Sequence, residues 1–395
     1  MNASSYHYRP CIPSTVCREQ EDTELITERF YLVAVLGTTV SLISIFENLF
    51  LLLLFAKSRR HRESGSFYLM LLALSDVFVS GTYILLMSVK VFYIYTNSFS
   101  LQWLWMTYVV PMLTTSHIAI TTGSFLIVFA TVERYFITIS HSMTNWLCSN
   151  RKAIALFAVF IGVSTKGTML LEIKVKFLST VVTKFIAIFF FMHNPNCEIP
   201  LSNYWLVPTA LVVNNRYYTF FRVWFRRLST IMLPFFLLLC LNFRIITALR
   251  KNTHHDLREQ LYVGAVFETI KKRKVCSLET KVKAATRTLV LVAFTYLSGN
   301  FLNVLITLWE YIDNQGLRDN FGLFYTISVD VGTLLAVTSC ALRLPIYASC
   351  QYELRQELVD FASKIIRCRL FSRKSNGKRF GEHPTNNSTN DGNLL

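Results

Sequence analysis

The stretch YVVPMLTTSHIAITTGSFLIVFATVERY, residues 108–135, carries no formal charge before Glu133-Arg134. A helix needs about 20 predominantly apolar residues to cross the ~30 Å hydrocarbon layer of a bilayer. Other stretches meet the same criterion, and 52% of the 395 residues are apolar against 16% charged. The sequence predicts an all-α membrane protein, a seven-transmembrane helix bundle, with spans at about 31–56, 67–92, 106–138, 153–171, 228–249, 284–309 and 321–349.

One further apolar segment, FLSTVVTKFIAIFFF at 177–191, is too short to cross a membrane and contains Lys184. Its β-branched and aromatic residues are typical of extended structure. We therefore predict a hairpin in a long outer loop, 172–227, rather than an eighth span.

The charges of the loops predict the orientation of the chain, because short cytoplasmic loops carry excess Lys and Arg. The loops 57–66 and 250–283 and the tail are basic, whereas the N-terminus has more carboxylates than arginines. We expect a multi-pass plasma-membrane protein with its N-terminus outside and a glycosylation acceptor at Asn2. The net charge of +16 then reflects topology and attraction to anionic lipid of the bilayer. No nucleic-acid motif accompanies this charge, so no nucleic-acid partner is expected.

The predicted domain organisation has four parts. Residues 1–30 form an extracellular N-terminus without the apolar core of a signal peptide, and 31–349 form the seven-span domain. An amphipathic interfacial eighth helix follows at 350–371, since apolar residues recur there at helical spacing. Those residues are Leu354, Leu358, Phe361 and Ile365. The tail 372–395 is rich in Asn, Ser, Gly and Thr and is predicted to be a disordered cytoplasmic tail.

Ionisable and polar residues inside spans are rare and mark functional positions. Five landmarks occur in order, one in each of five spans: Asn48, Asp76 in LALSD, Glu133-Arg134-Tyr135, Pro234 and Pro345-Ile346-Tyr347. Together they resemble the rhodopsin-type G-protein-coupled receptors. The stretches 108–135, 214–250 and 285–310 are more specifically similar to invertebrate FMRFamide-type neuropeptide receptors. In that group Asn300 stands where most members keep a tryptophan, and a glutamate such as Glu310 closes the sixth span.

The resemblance implies a function and partners. It implies that Glu133 holds Arg134 at rest, and that Arg134 meets a heterotrimeric G protein when the sixth span moves outward. The expected partners are a peptide ligand outside, a G protein inside and the lipid bilayer; no cofactor is expected. An enzyme is not expected either, because a membrane hydrolase needs clustered metal ligands and His117 is the one histidine in a span. Two alternatives stay open: a receptor-fold protein that no longer couples, and a seven-span chemoreceptor or ligand-gated channel.

The seventh span departs from the Asn-Pro-x-x-Tyr pattern of the class. Arg343 occupies the asparagine position, and the proline has moved to Pro345. In many members of the class that asparagine, the aspartate of the second span and a polar residue of the third span hold a sodium ion; here the third-span position is Gly123. We expect Arg343 to replace the ion with a buried salt bridge to Asp76. Glu47 is a competing partner, and a third possibility is that Arg343 caps a water pocket.

Residues that are absent from the third and seventh spans limit the class of ligand. The seventh span has no lysine for a retinal Schiff base, and Ser116 stands where aminergic receptors have an aspartate, so light and biogenic amines are not expected. Candidate ligand contacts are Ser116, His117, Tyr204, Trp205, Asn300, Asn303, Glu310 and Asp330. Glu310 and Asp330 suit an arginine of an amidated peptide, whereas the basic outer loop suits an acidic ligand. His117 is equally consistent with a packing role.

Three of the nine cysteines are predicted to lie outside: Cys11, Cys17 and Cys197. The class ties its outer loop to the third span, but Val109 occupies the expected position. Cys197 therefore pairs with Cys11 or Cys17 or stays free, and Cys11 with Cys17 is another pairing. Cys368, between two arginines, is a palmitoylation candidate or else an unmodified thiol.

Overall fold

The structure is a computed structural model. It describes residues 25–57, 66–139, 142–177, 204–208, 216–226, 228–262, 269–313, 316, 320–352, 354–361 and 363. Seven helices in this part of the chain are long and apolar enough to cross a membrane. They are α1 (Ile26–Lys57), α2 (Ser66–Tyr95), α3 (Phe99–Thr138), α4 (Arg151–Glu172), α5 (Trp224–Lys251), α6 (Lys283–Glu310) and α7 (Gly322–Cys350). The predicted seven-helix membrane bundle is therefore confirmed.

The helices extend beyond the predicted spans. α1 begins at Ile26 and α3 at Phe99, and helical turns precede α5 from Arg216. α5 continues to Tyr262, and α6 belongs to a helix that begins at Thr269. The predicted limits mark only the apolar segment that crosses the hydrocarbon, whereas a helix can continue beyond it because its backbone hydrogen bonds lie within the helix itself. The outer loop is consequently shorter than predicted, and Arg29 lies in α1 rather than in the N-terminal segment.

The outer loop contains a two-stranded sheet. Strand β1 (Ile173–Phe177) follows α4 directly and pairs antiparallel with β2 (Tyr204–Pro208), with Ile173 opposite Pro208. Extended structure therefore occurs in this loop. The predicted hairpin at 177–191 lies outside the described residues apart from Phe177.

The largest cluster of the bundle core includes fully buried side chains from five helices: Leu51, Leu126, Leu238, Val292 and Tyr347. Lipid tails are as apolar as these side chains, so close packing rather than the hydrophobic effect holds membrane helices together. Gly162 permits such packing of α4 on α3, since a β-carbon there would lie 3.1 Å from the carbonyl oxygen of Ile118.

Proline interrupts two helices. In α7 the helical segment Gly322–Ala341 ends at Leu342, and a second segment, Arg343–Cys350, contains Pro345. Proline has no N–H to donate to the carbonyl four residues earlier, so the helix breaks one turn before it. Pro234 likewise follows the π-helical turn Leu228–Met232 in α5. The break in α7 places Arg343 at the start of the second segment.

An amphipathic eighth helix follows α7. Residues 354–361, here α8, are helical, and Leu354 and Leu358 are buried in the bundle core. Phe361 lies with its ring centroid 5.3 Å from that of Phe50, and Lys57 Nζ is 5.4 Å from the same ring of Phe361. α8 therefore packs against the end of α1. Residues 364–395, including Ile365 and the predicted tail, lie outside the described residues.

Candidate functional site

An ion pair lies in the middle of the bundle. Arg343 Nη1 is 2.8 Å from Asp76 Oδ2, and the two side chains are 5% and 3% exposed. The contact is an ion pair rather than a linear hydrogen bond, because neither atom has a hydrogen-bond partner. Arg343 pairs with Asp76 as the sequence predicted, and not with the competing Glu47, which is half-buried on α1. Each residue supplies the counter-charge that the other needs in hydrocarbon.

A small cavity adjoins this ion pair. It has a volume of about 30 Å³, and its lining includes Asp76, Arg343, Gly123, Tyr296 and Asn300. Space of that size holds roughly one or two water molecules. Asn300, a predicted ligand contact, is one of these lining residues. It lies beside the ion pair, with its Nδ2 donating to the carbonyl of Tyr296 at 2.9 Å.

Asn48 connects α1 to α7 at the same level. Its Nδ2 donates to the carbonyl of Cys340 at 3.2 Å and to that of Ser44 at 2.9 Å. Ser80 on α2 in turn donates to the hydroxyl of Ser44 at 2.8 Å. Because all these groups are buried, the contacts join α1, α2 and α7 around the ion pair.

Glu133 is paired differently from the prediction. Its carboxylate accepts from Arg151 at the start of α4, with Nη2 to Oε1 at 2.7 Å and Nε to both oxygens at 3.0 Å. Among the described residues no ion pair joins Glu133 to Arg134. Successive residues of a helix do not face each other, so the carboxylate of Glu133, which is 1% exposed, turns to α4. The predicted pairing of Glu133 with Arg134 is therefore wrong.

A second cavity lies at the α8 end of the bundle. It has a volume of about 100 Å³ and is formed by α2, α3, α6 and α7. Its lining residues are Ser66, Tyr68, Leu69, Ala130, Glu133, Arg134, Ala285, Thr288, Leu289, Tyr347 and Gln351. Arg134 and Tyr347, two of the predicted switch residues, thus share one cavity. Tyr135 lies outside this lining, half-buried on α3 beside the ring of Phe136.

At the opposite end of the bundle, Asp330 is engaged within the chain. Arg29 Nε donates to Asp330 Oδ2 at 2.7 Å, and the side chains are 5% and 3% exposed. This pair joins the first turn of α1 to α7. A ligand arginine would have to displace Arg29 to reach this carboxylate. Asp330 is therefore a structural partner of Arg29 rather than an open ligand contact.

The other predicted ligand contacts lie on several elements, α3, α6 and β2. Glu310 accepts a hydrogen bond from the Tyr325 hydroxyl at 2.9 Å, which joins α6 to α7. Asn303 packs on α7, since a β-carbon at Gly332 would meet its side-chain oxygen. Ser116 and His117 are half-buried on α3. Tyr204 and Trp205 lie on β2, opposite Phe177 and Lys176.

The sequence did not predict the polar cluster that joins α4 to the turns preceding α5. Arg226 Nη2 donates to Glu172 Oε2 at 2.9 Å, and the Tyr218 hydroxyl donates to Glu172 Oε1 at 2.6 Å. Thr168 donates to the same carboxylate at 3.1 Å. Burial, together with the hydrogen bond to Glu172, raises the pKa of Tyr218 above its ordinary value. The cluster anchors the chain immediately before β1 to the start of α5.

A signal for this cluster was present in the sequence. Glu172 ends an apolar run, and Arg226 lies two residues before the predicted fifth span. Charged residues of opposite sign at the ends of consecutive spans are expected to pair when the helices are neighbours. Because both residues were assigned to a loop, this expectation was not applied to them.

Several predicted sites lie outside the described residues: Asn2, Cys11, Cys17, Cys197 and Cys368. Four cysteines whose side chains the structure describes, Cys148, Cys240, Cys340 and Cys350, are free thiols. Within the described ranges no group of three or more His, Cys, Asp or Glu residues is placed to hold a metal ion.

Comparison with known proteins assigns the chain to no family. No protein-family model matches the chain, and no curated protein matches it. What the protein does is therefore inferred from its residues and their contacts.

Proposed function

We propose that this protein is a G-protein-coupled receptor at the plasma membrane, with its N-terminus outside and a neuropeptide as its ligand. The observation that carries the proposal is the shared cavity of Arg134 and Tyr347 at the α8 end of a seven-helix bundle. An arginine in such a cavity is a fixed cation that a cytoplasmic partner reaches when the helices separate. No other described group lining that cavity is a cation.

The ion pair in the middle of the bundle supports the same proposal. Transmission of a signal across a membrane requires a bundle with two arrangements whose balance a ligand changes. Arg343 belongs to the short segment of α7 that also carries Tyr347, and it is tied to α2 through Asp76. A shift of this segment therefore changes the cavity of Arg134 directly.

A peptide ligand is supported by the outer end. There Glu172 at the end of α4 is paired with Arg226 near the start of α5, and β1, which follows α4, pairs with β2 in the connection between them. A connection with paired strands offers a surface that a peptide can contact. Glu310, whose carboxylate accepts a hydrogen bond from the Tyr325 hydroxyl, is the second predicted outer anion for a ligand cation.

G-protein activation in cells expressing the protein, challenged with a panel of amidated neuropeptides, tests the proposal. We expect a saturable response to one peptide family that is lost in Arg134→Ala at matched surface expression. Arg287→Ala, which changes an exposed arginine on α6, is the matched control and keeps the response. Silence across the panel, with the protein present at the cell surface, instead supports the alternative of a receptor fold that does not couple.

The orientation is tested separately. A seven-span chemoreceptor channel has its N-terminus inside the cell. Glycosylation at Asn2 therefore distinguishes a receptor from such a channel. Removal of N-glycans should shift the apparent mass of the wild type and leave that of Asn2→Gln unchanged. An unglycosylated wild type whose N-terminal tag is accessible only in permeabilised cells would contradict the proposed orientation.

A further inference from the structure

A hydrogen bond links α6 to the junction of α7 and α8. Gln351 Nε2 donates to Thr288 Oγ1 at 3.1 Å. The Thr288 hydroxyl itself donates to the carbonyl of Ala284 at 2.9 Å, and Thr288 is 2% exposed. The hydroxyl therefore acts as donor and acceptor at once.

The backbone of Gln351 is fixed on both sides. Its N–H donates to the carbonyl of Tyr347 at 3.1 Å, and its carbonyl accepts from the N–H of Arg355 at 2.9 Å. Between these bonds the residue is extended, with φ −121° and ψ 100°. Because the end of α7 and the start of α8 hold the backbone, the side chain has a defined direction toward α6.

The same hydrogen bond lies in the wall of the Arg134 cavity. Thr288 and Gln351 both line this cavity. With a volume of about 100 Å³ it cannot hold a helix of a partner protein, which is about 10–12 Å across. A protein partner therefore reaches Arg134 only after α6 and α7 separate at this end. That separation breaks the bond between Gln351 and Thr288.

Glu133 does not hold α6 in its inward position. Its carboxylate is held by three hydrogen bonds from Arg151 on α4, and α4 is not part of the cavity lining. An inward restraint on α6 must therefore come from contacts of α6 itself. The hydrogen bond to Gln351 is such a contact.

We propose that the Gln351–Thr288 hydrogen bond keeps α6 closed against α7 in the resting protein and is broken when the cavity opens. This inference rests on the proposed function for its biological meaning. A neutral hydrogen bond contributes modestly to a conformational balance, and its loss should raise the ratio of open to closed protein roughly two- to tenfold.

The test measures the position of α6 without ligand or G protein. Spin labels are placed on exposed sites of α4 and α6, at Ala153→Cys and Arg287→Cys. The full-length protein, with its native cysteines replaced by serine, is studied in lipid nanodiscs by pulsed electron resonance. The distance distribution between the two labels then gives the open and closed populations.

The expected result is a rise in the long-distance population in Gln351→Ala and in Thr288→Val. The double variant should rise no further than either single variant, because both changes remove one bond. Thr288→Ser, which keeps the acceptor, and Gln356→Ala, on the exposed face of α8, should leave the distribution unchanged. Thermal melting of each variant verifies that the compared proteins are folded, and Thr288→Val carries the test if Gln351→Ala does not fold.

An unchanged distribution in a folded single variant would overturn the inference, as would single effects that add in the double variant. These outcomes are separate from failure of the proposed function. If α6 moves as expected while no G protein is activated, the contact stands and the receptor proposal fails.

Discussion

Arg343 Nη1 lies 2.8 Å from Asp76 Oδ2 in a part of the bundle where both side chains are at most 5% exposed. The two residues belong to α7 and α2, and Arg343 opens the short segment of α7 that ends near Gln351. This ion pair therefore joins α2 to the segment of α7 that also contributes to the lining of the Arg134 cavity.

Asp76→Asn leaves Arg343 as an uncompensated buried charge. Loss of one partner from a buried pair costs about 3–5 kcal/mol, so we expect the single variant to be absent from the cell surface. The double variant Asp76→Asn with Arg343→Asn removes both charges and should restore much of the expression. Surface labelling and flow cytometry measure both, and a double variant no better than the single one would refute the pairing.

Arg151→Ala should destabilise the protein because Glu133, buried on α3, loses its partner on α4. We expect a loss of about 3 kcal/mol, seen as a lower thermal midpoint of the purified protein. Lys152→Ala changes an adjacent exposed cation and serves as the control. Equal midpoints for the two variants would mean that the Arg151 contact contributes nothing to stability.

Asp330→Asn should also destabilise the protein, since it leaves the buried guanidinium of Arg29 without a carboxylate. The expected loss is again about 3–5 kcal/mol. Glu28→Gln removes the carboxylate of an exposed residue next to Arg29 and should have little effect on stability. If Asp330→Asn instead keeps full stability and abolishes only ligand response, Asp330 is a ligand contact and the structural role is wrong.

Tyr218→Phe removes one hydrogen bond to the Glu172 carboxylate. A bond to a charged group contributes about 1.5–3 kcal/mol when buried, and partial exposure of Tyr218 reduces the expected loss to about 1–2 kcal/mol. Tyr217→Phe is the matched control, because Tyr217 is exposed. Thermal melting should separate the two variants, and identical curves would show that the cluster does not stabilise the outer end.

Hydropathy predicted the number of helices, and the resemblance to rhodopsin-type receptors led to the predicted pairing of Arg343 with Asp76. Both are consequences of one physical fact, that hydrocarbon tolerates apolar helices and admits charges in pairs. The helix termini were not predictable in the same way. The turns from Ile26 and Arg216 mix charged residues with apolar and aromatic ones, so no uninterrupted apolar run marks where these helices begin.

The partners of Glu133 and Asp330 depended on geometry that the sequence does not contain. Glu133 and Arg134 are neighbours in the chain but point in different directions from a helix, whereas Arg151 approaches from α4. Asp330 was predicted to be open because Arg29 was placed outside the first helix.

Nucleotide exchange on purified heterotrimeric G proteins, with the receptor in nanodiscs, tests the central proposal most directly. The assay compares wild type, Arg134→Ala and the control Arg287→Ala, using the peptide family that is active in cells or, failing one, basal exchange. The account predicts receptor-dependent exchange for wild type and Arg287→Ala and its loss in Arg134→Ala. Exchange that never exceeds the receptor-free rate, or that persists in folded Arg134→Ala, would contradict it.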